Sequence, residues 1–514
     1  MTDLRALLAR WGSWVAAPVG ALLAAAFAPL GVYGLAVLCP AVLFLLWEQT
    51  TPREAAWRGF LFTGGLFLAG TYWIYHSVHT IGGAPLVVTL FLIVAMVAIL
   101  SSYATAFGYA LQRWGPTSGL LRWVVLLPAG WTLCEWLRGW VLSGFPWLAL
   151  GYSQLDSSLR GFAPVIGVYG VSLVVAMTAG AIVAVLLGSL RVRIGALLII
   201  AALWVGGAVL WRHDWTTPLA TPVSVALVQG AVPQTLKWQE GTLERTEALY
   251  LALTRPHFGA DIVVWPEVSI PAVEADVRVF IAGVRLEASL QGSTLVMGLL
   301  RVDPGTGDYY NAINAWTPRE PAREQWYFKR RLVPFGEYFP VPAFVRNWMR
   351  LMSLPNSDFA AGSDAQAPLA VAGQTLAPTI CYEDAYGVEQ LALVRKSSLL
   401  VNVSNDAWFG DSTAPHQHLD ISRMRALEAG RPMLRATNDG VTALIEHDGR
   451  ILATLPQFQP GVLTGTLQPR AGLTPYVRVG NVPVLALIAL GLVAGFTVPR
   501  RWLARRPRSH EARA

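Results

Sequence analysis

Apolar residues gather into long runs toward both ends of this 514-residue chain and into short runs through its middle. The long runs lie near residues 11–29, 31–47, 57–75, 85–111, 120–137, 161–188 and 194–211, with one more near 481–498. A hydrocarbon core of about 30 Å takes about 20 helical residues to cross, so these runs predict membrane helices. We count eight spans; the first two, separated only by the Pro29–Val32 region, are either two spans or one broken hairpin. Between 212 and 480 the pattern changes. VSVALVQG (223–230), DIVVWPE (261–267), STLVMGLL (293–300), TLAPTICYED (375–384) and SLLVNVSND (398–406) are short apolar runs closed by polar residues. Such runs read as buried strands. Segments 240–255 and 274–290 have helical period and enough length to cover a sheet, which predicts an α/β domain.

Composition sharpens that division. Only 14% of residues are charged and 54% are hydrophobic, whereas soluble domains carry about a quarter charged residues. The shortage falls before 211 and after 480. The expected organisation is therefore transmembrane helices one to seven over 1–211, an extracytoplasmic catalytic domain over 212–480, and an eighth helix with a basic tail over 481–514. No small-residue cleavage site follows the first run, which reads as an uncleaved anchor.

Charge then supplies direction. Arg5 and Arg10 precede the first run, Arg53 and Arg58 follow the second, Arg113 and Arg122 flank the fourth connection, and Arg191 and Arg193 separate runs six and seven. Loop 76–84 has no Lys or Arg, and the tail carries Arg500, Arg501, Arg505, Arg506 and Arg508. Basic loops stay in the cytoplasm, which puts both termini there and the 212–480 domain on the other side. The formal charge of +7 is thus read as orientation, with no nucleic-acid partner. Cys39, Cys134 and Cys381 lack paired spacing, so neither a disulfide framework nor a zinc knuckle is suggested. His416 and His418 stand two apart on a helix over 416–429 and so on different faces, which reads as structural or solvated histidine, not as metal ligands.

Three motifs sit at the ends of expected strands, where α/β folds place chemistry: WPE (265–267), FKRRLVPFGEY (328–338) and CYED (381–384). Cys381 follows an apolar strand and opens a polar turn, which leaves its sulfur at a sheet edge. A thiolate suits acyl transfer through a thioester. A lone cysteine is most often a small buried apolar residue, so the other two motifs decide its meaning. Glu267 is carried to a strand end by VVWP and fits proton transfer from the thiol. Lys329 offers a fixed charge to the oxyanion formed at an acyl carbonyl. Glu337 either holds Lys329 or forms a surface ion pair.

A Glu in WPE, a Lys before LVPFGEY and a Cys in CYED, in that order, resemble the Glu-Lys-Cys triad of the nitrilase superfamily. With the apolar runs and EWLRGWVLSGFPWLALGYSQ (135–154), the chain is similar over essentially its whole length to the bacterial apolipoprotein N-acyltransferases. The resemblance implies a multi-pass α-helical membrane bundle of about eight helices carrying a nitrilase-like α-β-β-α sandwich. It implies a ping-pong reaction in the bacterial inner membrane, with the catalytic domain on the periplasmic side. Cys381 would take an acyl chain from a glycerophospholipid, phosphatidylethanolamine being the donor implied, and pass it to the α-amine of the diacylglyceryl-cysteine of an apolipoprotein. Glu267 would be the base and Lys329 the oxyanion cation, with Glu337, Trp238, Tyr382 and Glu383 in support. No cofactor and no metal is implied, and a monomer is expected.

Lipid-anchored substrates fit a site above the bilayer, because pulling a chain out of lipid costs about 0.8 kcal/mol per methylene. In 341–352, Val341, Phe344, Val345, Trp348, Met349 and Met352 share a helical face opposite Arg346 and Arg350; this is either a lid resting on lipid or a helix packed on the domain. Trp238 either gates an acyl channel or anchors an interface. Glu135 and Arg138 either serve a role at the outer end of the fifth run or pair with each other. The Gly144-Phe145-Pro146-Trp147 turn is expected to be a short interfacial or re-entrant element. The alternative function is a membrane-tethered amidase or nitrilase, in which water meets the thioester. A transporter or scaffold would need ionisable residues along a path through the bundle, and the runs hold few.

Overall fold

The computed structural model describes residues 2–334, 336–338 and 359–497. They form two compact units, one built on Met1–Tyr72, Val87–His213 and the chain from Asn481 onward, the other on Trp73–Leu86 and Asp214–Gly480. The expected 341–352 segment and the basic tail lie outside the described residues.

The first unit is helical. Thr2–Leu23, Leu35–Leu46, Pro52–Gly70, Leu86–Trp114, Leu127–Arg138, Ala163–Leu187, Leu190–Trp211 and Val482–Thr497 are α-helices at the apolar runs. Among the described residues, Leu86–Trp114, Ser158–Leu187 and Leu190–Trp211 are the three long and apolar enough to cross a membrane. Length and composition thus support three spans and do not establish eight. The other runs are interrupted: Ala24–Ala26 tightens into a 3₁₀ turn and Leu121–Leu126 widens into a π turn before Leu127. Leu35–Leu46 and Val482–Thr497 are apolar but shorter.

Local chemistry explains several of these boundaries. Thr51 and Glu54 cap Pro52–Gly70 reciprocally, each side chain bonding the other's backbone N–H. A Cβ on Gly20 would lie 1.8 Å from the Phe62 carbonyl oxygen, so only glycine lets these two helices touch backbone to backbone. Glu135 and Arg138 are both buried and do not bond each other. Glu135 Oε1 accepts from Trp131 Nε1 (2.8 Å) and Leu150 N (3.0 Å), while Arg138 Nη1 donates to the Phe145 and Trp147 carbonyls. Backbone groups freed at the Gly144–Trp147 turn need partners more than the two charges need each other.

The second unit is a sandwich of two six-stranded sheets. Its strands are β1 (Thr217–Pro218), β2 (Val223–Gln229), β3 (Ile262–Trp265), β4 (Thr294–Val302), β5 (Tyr309–Trp316), β6 (Gln325–Phe328), β7 (Leu369–Val371), β8 (Gln374–Ile380), β9 (Leu399–Ser404), β10 (Met433–Thr437), β11 (Ala443–Ile445), β12 (Ile451–Thr454), β13 (Gly461–Leu467) and β14 (Arg470–Ala471). One sheet runs β13-β2-β3-β4-β5-β6 and the other β12-β11-β10-β9-β8-β7, while β1 pairs with β14. Strands β2, β3 and β4 are parallel, as are β8, β9 and β10. Each parallel trio is joined by two helices, Thr242–Thr254 and Arg278–Gln291 in the first, Gly387–Val394 and Ala414–Ala429 in the second. Parallel strands require such crossovers, and the helices supply the outer layers.

Alternation along the strands sorts side chains between layers. Val223, Val225, Leu227, Ile262 and Val264 enter a core shared with Leu376, Ile380, Leu399, Val401 and Val403 of the opposite sheet. Ala226, Val228, Val263 and Trp265 point to a second core under Thr242–Thr254 and Arg278–Gln291. Both faces are buried, which is why these strands read as unbroken apolar runs. Residues 73–86 also belong to this unit. Trp73 stacks edge-on against Phe409 at 4.9 Å and donates to Gln417 Oε1, and Ser77 Oγ donates to the Trp408 carbonyl.

Gly298 on β4 ties the fold to its chemistry. A Cβ there would lie 2.2 Å from the Pro266 carbonyl oxygen and 2.7 Å from Glu267 Cα. Gly298→Ala should therefore cost about 1–3 kcal/mol by overpacking. Gly283→Ala, in open space on Arg278–Gln291, should instead gain up to about 1 kcal/mol from helix propensity. Thermal unfolding of the two variants in detergent checks both signs; an unchanged midpoint for Gly298→Ala would show that the Pro266–Glu267 backbone yields.

Candidate active site

The C-terminal ends of β3, β8 and β9 lie close together, and the side chains that follow them meet. Glu267 comes two residues after β3 and is 7% exposed. Its Oε1 accepts from Asn311 Nδ2 (2.6 Å) and Lys329 Nζ (3.2 Å), and its Oε2 accepts from the Asn405 backbone N–H (2.8 Å). Lys329, just past β6, is 1% exposed, and its Nζ also donates to Glu337 Oε1 at 2.8 Å. Glu337 accepts further from Asn311 Nδ2 (3.0 Å) and the Val333 N–H (2.8 Å). The expected choice between holding Lys329 and a surface pair falls to the first, since this ion pair is almost dry.

Cys381 opens a 3₁₀ turn, Cys381–Ala385, directly after β8 and has φ +52°. A left-handed conformation costs a non-glycine residue about 1–3 kcal/mol, so its surroundings must hold it there. The Cys381 carbonyl oxygen accepts from Asn402 Nδ2 and His418 Nε2, both at 3.2 Å. On the other side of the turn, Glu383 is fully buried and accepts from the Ile380 N–H (2.8 Å), the Arg330 N–H (2.7 Å) and Tyr327 Oη (3.0 Å). Glu383 thereby staples the Cys381 turn to the strand end that carries Lys329.

Electrostatics follow from burial. Burial, with the charges of Glu267 and Asp406, pushes the Cys381 thiol well above its ordinary range, against the opposing pull of Lys329 and the Ser404 hydroxyl. Burial would lower the Lys329 ammonium, but Glu267 and Glu337 outweigh it and hold Lys329 well above the ordinary lysine range. The resting pair is therefore a neutral thiol beside a fixed cation. A second buried lysine, Lys237, feels Glu267 and Asp439; burial brings its ammonium down to about 8. Burial and Asp406 push Asp439 up to about 7.

The structure brings Glu267, Lys329 and Glu337 into one hydrogen-bonded cluster, with Cys381 in its field. Tyr382 is half-buried, stacks edge-on against Tyr386 and accepts a bond from its hydroxyl at 2.6 Å. Trp238 stands 57% exposed on the turn after β2. Asn311, Asn402, Asn405 and His418 escaped the sequence reading as site residues. An asparagine inside a strand is a weak signal, but Arg435 within the apolar strand MLRAT (433–437) was a strong one, since a charge there demands partners. His418 is buried; His416 is partly exposed. Among the described residues no group of three or more His, Cys, Asp or Glu could hold a metal ion.

Comparisons with known families and relatives cover most of the chain. Residues 19–181 match the family described as apolipoprotein N-acyltransferase N-terminal domain, and 224–476 match the carbon-nitrogen hydrolase family. An apolipoprotein N-acyltransferase of Methylococcus capsulatus is 41% identical over 495 residues, covering 96% of this chain and 97% of that one. One of Nitrosomonas europaea is 42% identical over 490 residues, covering 93% and 95%. Among solved structures, an amidase from Nesterenkonia sp. is similar at 19% identity and a TM-score of 0.35, over 52% of this chain and 97% of that one. A carbon-nitrogen hydrolase from Helicobacter pylori is similar at 16% identity and a TM-score of 0.36, over 48% and 90%.

Removing the cation tests the cluster. Lys329→Met strands two buried carboxylates and should destabilise the protein by about 3–5 kcal/mol. The raised Lys329 value means that its contribution is fully present below the unfolded lysine value of about 10.4 and fades only as pH rises toward the higher folded value. The loss should therefore be undiminished at neutral pH. Thermal melts of Lys329→Met alone and with Glu337→Gln check this, the second substitution restoring part of the midpoint; equal melts for wild type and Lys329→Met would refute it.

Proposed function

This chain belongs to the apolipoprotein N-acyltransferase family, and we propose that it transfers a fatty acyl chain from a membrane glycerophospholipid to the N-terminal amine of a diacylated apolipoprotein, through a thioester on Cys381. The observation that carries the site assignment is the dry Glu267–Lys329 pair set against a cysteine held in a left-handed turn at the end of β8. The acyl-transfer reading over C–N hydrolysis rests on the full-length relatives.

Each half-reaction balances on Glu267. Its carboxylate takes the Cys381 proton as sulfur attacks the donor's ester carbonyl. Negative charge moves to the carbonyl oxygen, where the Lys329 ammonium stabilises it. Collapse breaks the acyl–oxygen bond, and Glu267 returns the proton to the departing lysophospholipid oxygen. The acceptor's neutral amine then attacks the thioester and Glu267 takes one proton from nitrogen. Collapse expels the Cys381 thiolate, which regains that proton, leaving an amide. A thiol held above its ordinary range fits this scheme, because the nucleophile is generated only when a carbonyl is in place.

Supporting roles follow from placement. Glu337 and Asn311 fix Lys329 and Glu267; Glu383 holds the Cys381 turn; Tyr382 lines it with Tyr386; Trp238, exposed beside the site-bearing loops, meets acyl chains. We assign phosphatidylethanolamine as donor and a monomer as the working unit. The chain would sit in the inner membrane on a bundle of eight spans, with domain limits 1–211, 212–480 and 481–514. The alternation of basic loops supports a periplasmic catalytic domain and cytoplasmic termini.

Phospholipid with a labelled acyl chain, mixed with the purified protein and no acceptor, should label Cys381 through a bond that hydroxylamine cleaves. A diacylated lipopeptide amine should then discharge the label into amide. Retained transfer in Cys381→Ala would overturn the thioester mechanism, and release of the acyl chain only as free fatty acid would favour the hydrolase.

A further inference from the structure

Behind the Cys381 turn lies a set of buried charges that the acyl transfer does not use. Asp384 comes from the Cys381–Ala385 turn, Asp406 from the turn after β9, His418 from helix Ala414–Ala429 and Arg435 from β10; none is more than 1% exposed. Arg435 Nη2 donates to Asp406 Oδ2 at 3.0 Å, and Nη1 donates to Asn402 Oδ1 (2.7 Å) and Ser422 Oγ (2.9 Å) while lying 3.7 Å from Asp384 Oδ2. Ser422 Oγ donates to Asp384 Oδ2 at 2.5 Å. One guanidinium does not neutralise two buried carboxylates, so a second cation is required.

The surroundings of His418 identify it. Nδ1 lies 2.9 Å from Asp406 Oδ1; Nε2 lies 3.1 Å from Asp384 Oδ1 and 3.2 Å from the Cys381 carbonyl oxygen. These three partners are acceptors. A neutral imidazole has a single N–H and would turn a lone pair toward a carboxylate, so both ring nitrogens carry hydrogen. The imidazolium completes a neutral quartet with Arg435 and the two aspartates, and one of its hydrogens reaches the backbone of Cys381.

We propose that His418 is a positioning residue for Cys381: an imidazolium, charged at neutral pH, whose Nε2–H, beside the Asn402 amide, grips the nucleophile's carbonyl and holds the left-handed turn that presents the thiol. The inference rests on Cys381 being the nucleophile. Burial and Arg435 would discharge the ring, but Asp384 and Asp406 outweigh them and raise His418 to about 9, while Asp406 itself is drawn down to about 2. The groups facing the ring are Asp384, Asp406, Arg435 and the Cys381 carbonyl, with the Ser404 and Ser422 hydroxyls bonded to the two aspartates. The grip is thus held at neutral pH and is lost as pH rises through about 9.

The test is the single-turnover rate of Cys381 acylation by labelled phospholipid in the full-length protein in detergent. His418→Asn, with no donor where Nε2 stood, should slow acylation about 10- to 100-fold at an unchanged KM for the donor, as misplacement of a nucleophile does. His418→Gln, with a donor near that position, should be slowed less. Wild-type acylation should fall as pH rises through about 9, and the variant that cannot titrate should lack that fall. A folded His418→Asn that acylates at the wild-type rate overturns the proposal. Should both variants fail to fold, the wild-type profile decides: a fall near that pH at constant KM supports the proposal, and a level profile overturns it. Wild-type transfer in Cys381→Ala would instead overturn the thioester reading, which separates the two failures.

Discussion

A lysine ammonium with 1% of its surface exposed remains charged only if the protein replaces its lost water with anions. The arrangement of the second unit follows from that demand. Lys329 needs Glu267 from the end of β3 and Glu337 from a turn eight residues along its own chain, and both carboxylates need Asn311 of β5 to fill a remaining acceptor site. Three strands of one sheet must therefore be in register before the cation is satisfied. The opposite sheet is drawn in as well, because Glu267 Oε2 takes the Asn405 N–H that follows β9.

Cys381 sits between two electrostatic environments of different balance. On one side the Lys329 ammonium bonds two carboxylates with Lys237 close by, and the charge of Glu267 helps keep the thiol protonated. On the other, two cations meet two anions and the sum is zero. The quartet is neutral in sum, yet its Asp406 lies near enough to help keep the thiol protonated, so both sides set the balance. Glu383 fits the same division: its oxygens are spent on backbone N–H groups and Tyr327, which makes it a fastener and not a proton carrier.

Much of this was legible in the sequence. WPE, the lysine before LVPFGEY, and CYED announced the cluster because strand ends are where an α/β fold leaves side chains free to meet. The sandwich was legible too, since strands buried on both faces must be apolar at nearly every position, as 262–265 and 399–401 are. The membrane runs were less so. Hydropathy registers composition but not the backbone, so the 3₁₀ turn at Ala24–Ala26 and the π turn at Leu121–Leu126 pass unseen while shortening the helices around them. Asn311, Asn405 and His418 stayed hidden because their partners are 12 to 171 residues away, and no local pattern carries such a pairing. Glu135 and Arg138 were legible in part: each lies in the other's field, while their hydrogen bonds go to Trp131, to Leu150 and to the Phe145 and Trp147 carbonyls.

The segment 73–86 has a meaning for how the protein is made. It packs with the catalytic unit, yet Trp73 lies 344 residues before its partner Gln417 and Ser77 lies 331 before Trp408. On a ribosome adding about 5–20 residues per second, this early piece waits tens of seconds for the chain that will receive it. The turn it clasps, 406–410, adjoins both the N–H that holds Glu267 and the aspartate that holds His418. Contacts beside the Cys381 turn thus cannot close until the chain through Gln417 has been made.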